Sequence, residues 1–315
     1  QKKRDILVTS AMLYANGPLH LGHIVELVQT DIWVRFQRLR GHQVLYVAGE
    51  DAHGTPIMIN ADKQGLSPEA FIAKYAKEHQ ADLDDFLISF DNYYTTHAKE
   101  NQQLADQFFE SLKNSGDIQK REIKQAYDDR HNMFLPDRFI RGTCPRCHAA
   151  DQYGDNCEKC GATYAPADLI NPVSTLSGKI PIYRKTKHYF FELPHYQDML
   201  QTWLTDNNMQ PEITNKLNEW IHEGLKPWDI TRDQPYFGFK IPGTTDKYYY
   251  VWLDAPIGYI AATKHYCDQK NQDYLNYWRH DSQAELYHFI GKDIISFHGL
   301  FWPAMLTAAN YRLPD

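Results

Sequence analysis

The chain has 315 residues, of which 43% are hydrophobic and 23% charged, which is the content of a folded protein with room for about two domains. This apolar content excludes disorder as the main state. A formal net charge of -7 gives no general basic surface for nucleic acid, although a local patch is compatible with it. No apolar run approaches the roughly 18 residues of a membrane span, and the first residues do not form a signal peptide, so we expect no membrane partner.

The first half of the chain alternates between buried-strand and helix patterns. Ile6–Thr9 reads as a strand, and a helix follows a turn and covers His20 to Arg40. A second strand covers Val44–Ala48, and this strand–helix–strand order predicts a parallel sheet. The apolar stripe expected to face the core of the helix is Ile24, Val28, Ile32, Phe36 and Leu39.

Two further helices are predicted before residue 120. Ser67 is an N-cap with Pro68 at the first helical position, and the next helix covers Lys99 to Leu112. The apolar face of the helix after Ser67 comprises Phe71, Ile72, Tyr75, His79, Leu83 and Phe86.

The composition of the sequence changes between about 120 and 180, where charged and Pro-containing stretches indicate an insertion. A helical stretch covers Tyr196 to His222, and strands cover Tyr248–Trp252 and Leu286–Ile290. A helix then runs through Phe297. The expected fold class is α/β, a doubly wound parallel sheet split by the insertion, with divisions at 1–115, 116–230 and 231–315.

Four cysteines form two C-x-x-C pairs separated by nine residues: Cys144, Cys147, Cys157 and Cys160. This spacing suits the two edges of a tetrahedral thiolate site, and we predict one Zn²⁺, with iron as a weaker alternative. Four thiolates close the coordination sphere, so the ion is structural and not catalytic. Such a site favours a reducing compartment, and we expect a cytoplasmic protein.

His20-Leu21-Gly22-His23 lies where the turn after the first strand meets the helix. At the carboxyl edge of a parallel sheet, a helix N-terminus favours an anion, and two imidazoles there can hydrogen-bond phosphate oxygens. Gly22 would let a flat base pack against the backbone. The alternative interpretation is two histidines that only cap the helix.

These residues resemble class I aminoacyl-tRNA synthetases, and within them the methionyl-tRNA synthetase family. The resemblance covers essentially the whole chain and corresponds to the N-terminal catalytic part of that family, a Rossmann-like domain. The motifs that carry it are Thr9–Gly17, His20–His23, Gly49–Pro56, Asp229–Asp233, Tyr250–Tyr259 and Phe289–Asp293.

The resemblance implies a ligase that activates L-methionine with ATP and then charges tRNA(Met), with Mg²⁺ accompanying the nucleotide. It implies catalytic roles for His20, His23 and Asp51, with Asp51 holding the substrate ammonium. The implied ATP-binding residues are His20, Gly22, His23, Lys292 and Asp293. The implied methionine-binding residues are Met12, Tyr14, Asp51, Trp252, Ala255, Pro256, Tyr259, Ile294 and His298, where Tyr14 or His298 supplies a polar contact to sulfur.

The sequence departs from the family pattern at Leu13, which commonly is Pro, and at Met12, where Leu is expected. The family's Lys-Met-Ser-Lys-Ser signature lies beyond Asp315, so we expect the 315-residue piece alone to be weakly active or inactive.

Three alternatives remain open at the level of sequence. Class I synthetases for leucine, isoleucine or valine share the histidine motif, but the Trp252–Tyr259 run and the small four-Cys insertion oppose them. A non-catalytic zinc-knuckle RNA-binding module is opposed by the net acidity. A stand-alone nucleotidyltransferase shares the histidines but needs no zinc insertion.

Overall fold

The computed structural model describes residues 3–154, 157–160, 162, 164, 166–206 and 209–315. The strands are β1 (Asp5–Ser10), β2 (Leu13–Tyr14), β3 (Gln43–Asp51), β4 (Asn92–Thr95), β5 (Ile118–Asp128), β6 (Met133–Phe134), β7 (Ile140–Thr143), β8 (Gln152–Tyr153), β9 (Ile170–Ser174), β10 (Ile182–Phe191), β11 (Trp228–Asp229), β12 (Thr231–Asp233), β13 (Lys247–Tyr249) and β14 (Glu285–Phe289). The α-helices are α1 (Leu21–Leu39), α2 (Thr55–Lys63), α3 (Pro68–Asp85), α4 (Lys99–Asn114), α5 (Gln197–Asp206), α6 (Pro211–Glu223), α7 (Val251–Gln269), α8 (Leu275–Trp278) and α9 (Trp302–Ala308).

A five-stranded sheet joins the two ends of the chain. Its strands follow the order β14-β1-β3-β2, with β4 also paired to β3, and every pairing is parallel. The predicted parallel sheet is therefore confirmed. Because the strands are parallel, the ends of β1, β3, β4 and β14 meet at one edge, where ligands bind in open α/β sheets.

Alternate residues of the central strands enter two separate cores. Ile6, Val8 and Tyr46 face α1, while Leu7 and Leu45 belong to the core built with α4, α7 and α9. Period-two alternation along a strand sends successive side chains to opposite faces. Apolar residues on both faces thus require helices on both sides, which makes the sheet doubly wound as predicted.

The predicted core stripe of α1 is correct at Ile24, which is buried, and at Val28, which is partly buried against the same core, and it is wrong at the other three positions. Ile32, Phe36 and Leu39 are 62%, 54% and 87% exposed. The residues buried on α1 are instead Ile24, Leu27, Thr30, Asp31, Val34 and Gln37. Apolar residues occur on several sides of this helix, so the spacing alone did not identify the side that packs on the sheet.

Other boundaries also differ from the predictions. The stretch from Tyr196 to His222 forms two helices, α5 and α6, because Pro211 starts a new helix at its first position. The strand predicted to end at Trp252 stops at Tyr249, and Val251 begins α7. Phe86 is the C-cap of α3 and is 52% exposed. The Ser67 cap is confirmed, since its side chain accepts from the Ala70 N–H at 3.2 Å.

The middle of the chain departs from the parallel sheet. β5 and β10 form a long antiparallel pair, extended by β6 and β11, and β7, β8 and β9 form a smaller antiparallel sheet. The C-x-x-C pairs lie around this smaller sheet. Across the described residues, no helix is both long and apolar enough to cross a membrane.

Candidate active site

His20 and His23 form a reciprocal capping box at the first turn of α1. The Gly22 N–H donates to His20 Nδ1 at 3.1 Å, and the His20 N–H donates to His23 Nδ1 at 3.2 Å. The two rings stack with centroids 3.8 Å apart. Both Nδ1 atoms accept, so the neutral rings carry their hydrogen on Nε2. Burial, and then the neighbouring His20, lower the pKa of His23, which favours this neutral donor form.

Gly22 leaves room for the His20 ring, because it has no Cβ atom. A Cβ atom at this position would lie 2.8 Å from His20 Cε1, a distance that needs the ring to move. The glycine therefore lets the His20 ring fold back over the helix start. The two histidines therefore cap the helix, and this arrangement leaves two N–H donors at its N-terminus.

Asp51 ends β3 and points its carboxylate into the protein. Its side chain is buried, and among the described residues Oδ1 has no hydrogen-bond partner. Burial, with the nearby carboxylates of Asp254 and Glu50, raises the pKa of Asp51 well above its usual range. A buried carboxyl group in this setting has high affinity for a cation, because a cation would supply the missing partner.

A buried Tyr–His pair lies near this carboxylate, since burial, and then the charges of Glu26 and Asp51, raise the pKa of Tyr259. Tyr259 Oη lies 2.9 Å from His298 Nε2, and His298 Nδ1 lies 3.0 Å from the Ile294 carbonyl oxygen. The carbonyl can only accept, so Nδ1 donates and Nε2 accepts from the Tyr259 hydroxyl. Burial lowers the pKa of His298 to about 4, so the ring is neutral at pH 7.

Helix α7 carries three further residues of the predicted methionine site. Trp252 is on its first turn and stacks on Phe297 with centroids 3.9 Å apart and planes at 6°. Ala255 and Pro256 are buried on the same helix. Met12 reaches α7 as well, since its Cε lies 3.3 Å from the position of a Cβ on Gly258.

Tyr14 places a hydroxyl near the carboxylate. It pairs with Asp51 in the β2–β3 register, and the Ala15 N–H donates to the Asp51 carbonyl oxygen at 2.9 Å. Burial, and then the charge of Asp51, raise the pKa of the Tyr14 phenol, so it is a neutral donor at pH 7. His298 already uses both ring nitrogens within the protein, which leaves Tyr14 as the more available of the two predicted polar groups.

Lys292 and Asp293 lie at the end of β14, the strand next to β1. They form an ion pair at 2.7 Å, and both side chains are about 85% exposed. Asp293 does not cap a helix here, since the 3₁₀ turn Lys292–Ile294 has Gly291 at its N-cap. The two side chains are open to a ligand at the same sheet edge as His20.

A buried ion pair behind Asp51 has no local signal in the sequence. His53 Nδ1 lies 2.5 Å from Asp254 Oδ2, and His53 Nε2 lies 2.9 Å from His97 Nδ1. Phe297, the partner of Trp252, was assigned only to a helix. His53 and Asp254 are 201 positions apart, so no local spacing could have identified the pair.

The four sulfurs of the C-x-x-C pairs converge. All lie within 4.8 Å of one another, with Cys144 and Cys160 3.9 Å apart and Cys147 and Cys157 3.6 Å apart. Zn–S bonds of about 2.3 Å in a tetrahedron place sulfurs about 3.8 Å apart, so the cluster fits a metal ion. Backbone N–H groups of Arg146, Cys147 and Cys160 approach the sulfurs at 3.4 Å.

Comparison with known proteins agrees with this fold and site. The sequence model of the family described as tRNA synthetases class I (M) matches residues 6–315, and the chain belongs to this family. Two similar solved structures are of Mycobacterium tuberculosis methionyl-tRNA synthetase, one bound by and one in complex with methionyl-adenylate. Each has a TM-score of 0.75 and 25% identity, and the match covers 99% of this chain and 56% of that chain. The chain thus spans little more than half the length of these relatives.

Proposed function

We propose that the protein is a methionine–tRNA ligase. It activates L-methionine with ATP, forming methionyl-adenylate and pyrophosphate, and then transfers the methionyl group to the 3′ end of tRNA(Met). The observation that carries this proposal is the buried Asp51 carboxylate, whose Oδ1 has no partner among the described residues and which lies near Tyr14 and Tyr259, at the same sheet edge as His20 and His23.

Asp51 selects an α-amino acid because its Oδ1 atom lacks a partner and its ionisation is opposed by burial. A substrate ammonium would supply a charge-assisted hydrogen bond and stabilise the ionised carboxylate. The side chain of the amino acid would extend between Trp252, Tyr259 and the residues around them. A flexible thioether suits this site, since sulfur packs favourably against rings.

The first half-reaction needs mainly positioning. The substrate carboxylate oxygen attacks the α-phosphorus, a bond forms there, and the bond to pyrophosphate breaks with its electron pair. Neutral His20 and His23 donate from Nε2 to phosphate oxygens, with Gly22 keeping the two rings in place. Asp293 and Lys292 bind the nucleotide at the neighbouring strand end. Mg²⁺ accompanying ATP would neutralise phosphate charge.

In the same proposal, Cys144, Cys147, Cys157 and Cys160 hold one structural Zn²⁺, supported by the close approach of their sulfurs. The catalytic domain comprises 1–115 and 231–315, and 116–230 is the connective insertion. The change from parallel to antiparallel pairing at β5 supports this division.

The first test is calorimetric titration with methionine, with leucine and isoleucine as controls. We expect saturable binding of methionine alone, because Asp51 would bind the ammonium and the aromatic side chains of Trp252 and Tyr259 suit a thioether. Binding of leucine or isoleucine with none of methionine would overturn the amino-acid assignment.

Methionine-dependent exchange of pyrophosphate into ATP tests the chemistry. Asp51→Asn keeps the volume of the side chain and removes its charge, so it should abolish both methionine binding and exchange. Asp293→Asn should raise KM for ATP while leaving methionine binding unchanged. Exchange that is independent of methionine would contradict the proposed reaction.

A further inference from the structure

His53 contacts two buried carboxylates that come from distant parts of the chain. It follows Asp51, the last residue of β3, by two positions, and its backbone N–H donates to the Asp51 side chain. Its ring contacts α7, where Asp254 Oδ2 lies 2.5 Å from His53 Nδ1. Because one residue contacts both side chains, Asp51 and Asp254 lie close together.

Neither carboxylate is exposed enough for water to replace a missing partner. The side chains of His53 and Asp254 are 0% and 1% exposed, and Asp51 is buried as well. Among the described residues, Oδ1 of Asp51 and Oδ1 of Asp254 both lack a hydrogen-bond partner. Burial, and then the charge of Asp254, raise the pKa of Asp51, so the two groups oppose each other's ionisation.

The two carboxylates differ in what balances them. An ionised carboxylate can only accept, so His53 Nδ1 donates to Asp254 Oδ2. Burial raises the pKa of Asp254, while the charge and the hydrogen bond of His53 oppose this shift. Asp51 has no ion-pair partner in the part of the chain that the structure describes. A cation that enters the site thus meets one carboxylate that is already paired and one that is not.

The orientation of the His53 ring is fixed on its other side. His53 Nε2 lies 2.9 Å from His97 Nδ1, and the Phe239 ring meets the imidazole edge-on with centroids 4.5 Å apart. Phe237 also packs edge-on against it, and its carbonyl oxygen accepts from the Gly54 N–H at 2.8 Å. A flipped ring would place carbon atoms where both nitrogens bond, so these contacts keep Nδ1 directed at α7.

The backbone of Asp254 is held in place independently of the histidine. Its carbonyl oxygen accepts from Asn101 Nδ2 at 3.2 Å, and the same amide donates to the Thr96 carbonyl oxygen at 2.9 Å. Thr96 Oγ1 in turn accepts from the Ala52 N–H at 2.9 Å, next to the end of β3. Without the histidine, the carboxyl group of Asp254 would therefore stay near the other carboxylate and lose its partner.

A released Asp254 side chain would interfere with Asp51 in either protonation state. If ionised, it would repel the Asp51 carboxylate and favour its protonated form. If protonated, its hydroxyl would be a donor for the free Oδ1 of Asp51. Both states occupy or remove the acceptor that an ammonium group needs.

We propose that His53 is a positioning residue for amino-acid recognition, whose ring holds the Asp254 carboxylate and so leaves Asp51 free to accept from the substrate ammonium. The inference rests on the proposed function, because that function assigns the ammonium to Asp51. His53 itself touches neither the substrate nor the reacting atoms in this role.

Two substitutions at position 53 separate the hydrogen bond from the volume of the ring. In His53→Asn, the amide nitrogen stands where Nδ1 stands in histidine, so it can still donate to Asp254. In His53→Gln, the amide nitrogen stands where Nε2 stands, on the side of His97, although glutamine fills more of the space of the ring. Calorimetric titration with methionine measures Kd for each protein, below the lowest thermal midpoint of the series.

We expect Kd for methionine to rise about tenfold or more in His53→Gln, because a nearby carboxyl group without its partner disfavours ionised Asp51. Kd for His53→Asn should stay close to that of wild type. Thermal midpoints should follow the opposite order, since asparagine leaves the larger cavity. Weaker methionine binding by His53→Asn than by His53→Gln would follow the loss of volume and would overturn the inference.

Removal of the second carboxylate provides a rescue. Asp254→Ala added to His53→Gln takes away the group that interferes with Asp51, so most of the lost affinity for methionine should return. A double variant that folds and binds as weakly as His53→Gln would show that Asp254 is not the cause. The comparison of asparagine with glutamine decides the question if the double variant does not fold.

His195→Gln is the matched control. It removes the same kind of bond, from His195 Nδ1 to Asp117 Oδ1 at 2.7 Å, outside the candidate site. Its Kd for methionine should equal that of wild type. Pyrophosphate exchange on the same samples should show a raised KM for methionine and an unchanged KM for ATP in His53→Gln. An equal rise of both constants would indicate general damage to the site and contradict the assigned role.

The two proposals fail in different ways. Absence of methionine binding and of exchange in wild type would count against the proposed function. Normal binding by wild type, with the same Kd in His53→Gln, would count against the role of His53 alone.

Discussion

Tyr259 donates its hydroxyl hydrogen to His298 Nε2 at 2.9 Å, and this bond joins α7 to the segment that follows β14. Tyr259→Phe should leave Nε2 buried without a donor and lower the free energy of unfolding by about 1–3 kcal/mol. KM for methionine should rise as well, and urea denaturation with exchange kinetics measures both effects. Tyr287→Phe, which removes a hydroxyl bonded to Glu285, is the control and should change stability far less. Equal losses of stability in Tyr259→Phe and Tyr287→Phe would contradict the expected importance of the bond between Tyr259 and His298.

Because burial lowers the pKa of His298 to about 4, this ring should not titrate between pH 5.5 and 8.5. We therefore expect the ratio of KM for methionine between wild type and His298→Gln to be constant over this range. A ratio that changes with a midpoint near pH 6.5 would show that His298 gains a proton in the working enzyme.

Asp51→Asn should stabilise the unliganded protein while it abolishes methionine binding. Burial, Asp254 and Glu50 raise the pKa of Asp51, so its contribution to stability is favourable below the unfolded pKa and is lost as the pH rises. At pH 7 the amide should raise the free energy of unfolding by about 1–3 kcal/mol. Asp31→Asn is the matched control and should destabilise, because Asp31 is buried and paired with Arg35. A less stable Asp51→Asn that still binds methionine would refute both the electrostatic account and the ammonium role.

His79 joins the turn before α1 to β3, because its ring hydrogen-bonds both the Gly17 carbonyl oxygen and the Glu50 carboxylate. We expect the strength of this contact to depend on pH. Burial lowers the pKa of His79, but hydrogen bonding to Glu50, its charge and the Gly17 carbonyl outweigh this and raise the pKa overall. The protonated ring therefore contributes stability that is complete below the unfolded pKa and is lost as the pH rises through the folded pKa.

The free energy of unfolding of wild type minus that of His79→Gln should thus decrease as the pH rises from 6 to 9. Urea denaturation at several pH values measures the difference. Gln102→Ala changes a neutral, exposed side chain on α4 and is the control, for which the difference from wild type should not vary with pH. A difference that grows with pH would reverse the assigned sign.

Gly22→Ala separates stability from activity. Alanine favours a helix by about 1 kcal/mol over glycine, yet its Cβ would lie 2.8 Å from His20 Cε1 and displace the ring. We expect unchanged or higher stability and a fall of about 10²-fold in kcat/KM for ATP in the exchange assay. Gly17→Ala has open space around its Cβ and should retain activity. Full activity of Gly22→Ala would show that the His20 position does not matter.

Removal of the metal should unfold the zinc-bearing segment. A small zinc module gains on the order of 10–16 kcal/mol from its ion, so chelation or Cys157→Ser should expose residues 144–160 to protease. Metal analysis should give one zinc per chain for wild type and none for Cys157→Ser. Cys267→Ser, which alters the buried cysteine outside the cluster, should keep its zinc. Zinc retained by Cys157→Ser would place the ion elsewhere.

Local signals in the sequence were sufficient to predict where several helices and strands begin, and to identify the C-x-x-C pairs and the His20–His23 motif. Ser67 and Pro68 mark the start of α3 because a cap and a fixed φ act within one turn. The C-x-x-C pairs and His20–His23 are recognisable because their residues act at short spacing.

The tertiary structure decided what depends on distant partners. Ile32 and Phe36 looked like core residues, yet Leu27 and Val34 face the sheet, because only packing selects one side of a helix that is apolar on several. The aromatic run Tyr248–Trp252 favoured a single strand, but the strand ends at Tyr249 and Val251 begins α7.

The residues of the candidate site show the same division between what the sequence indicates and what only the folded structure determines. The family resemblance pointed to Asp51, but its missing partner and raised pKa depend on burial and on Asp254, which the chain supplies 203 positions later. The same holds for the bond from Tyr259 to His298. Short-range rules determine which residues begin and cap an element, whereas desolvation and hydrogen bonding between distant residues are set only once the chain has folded.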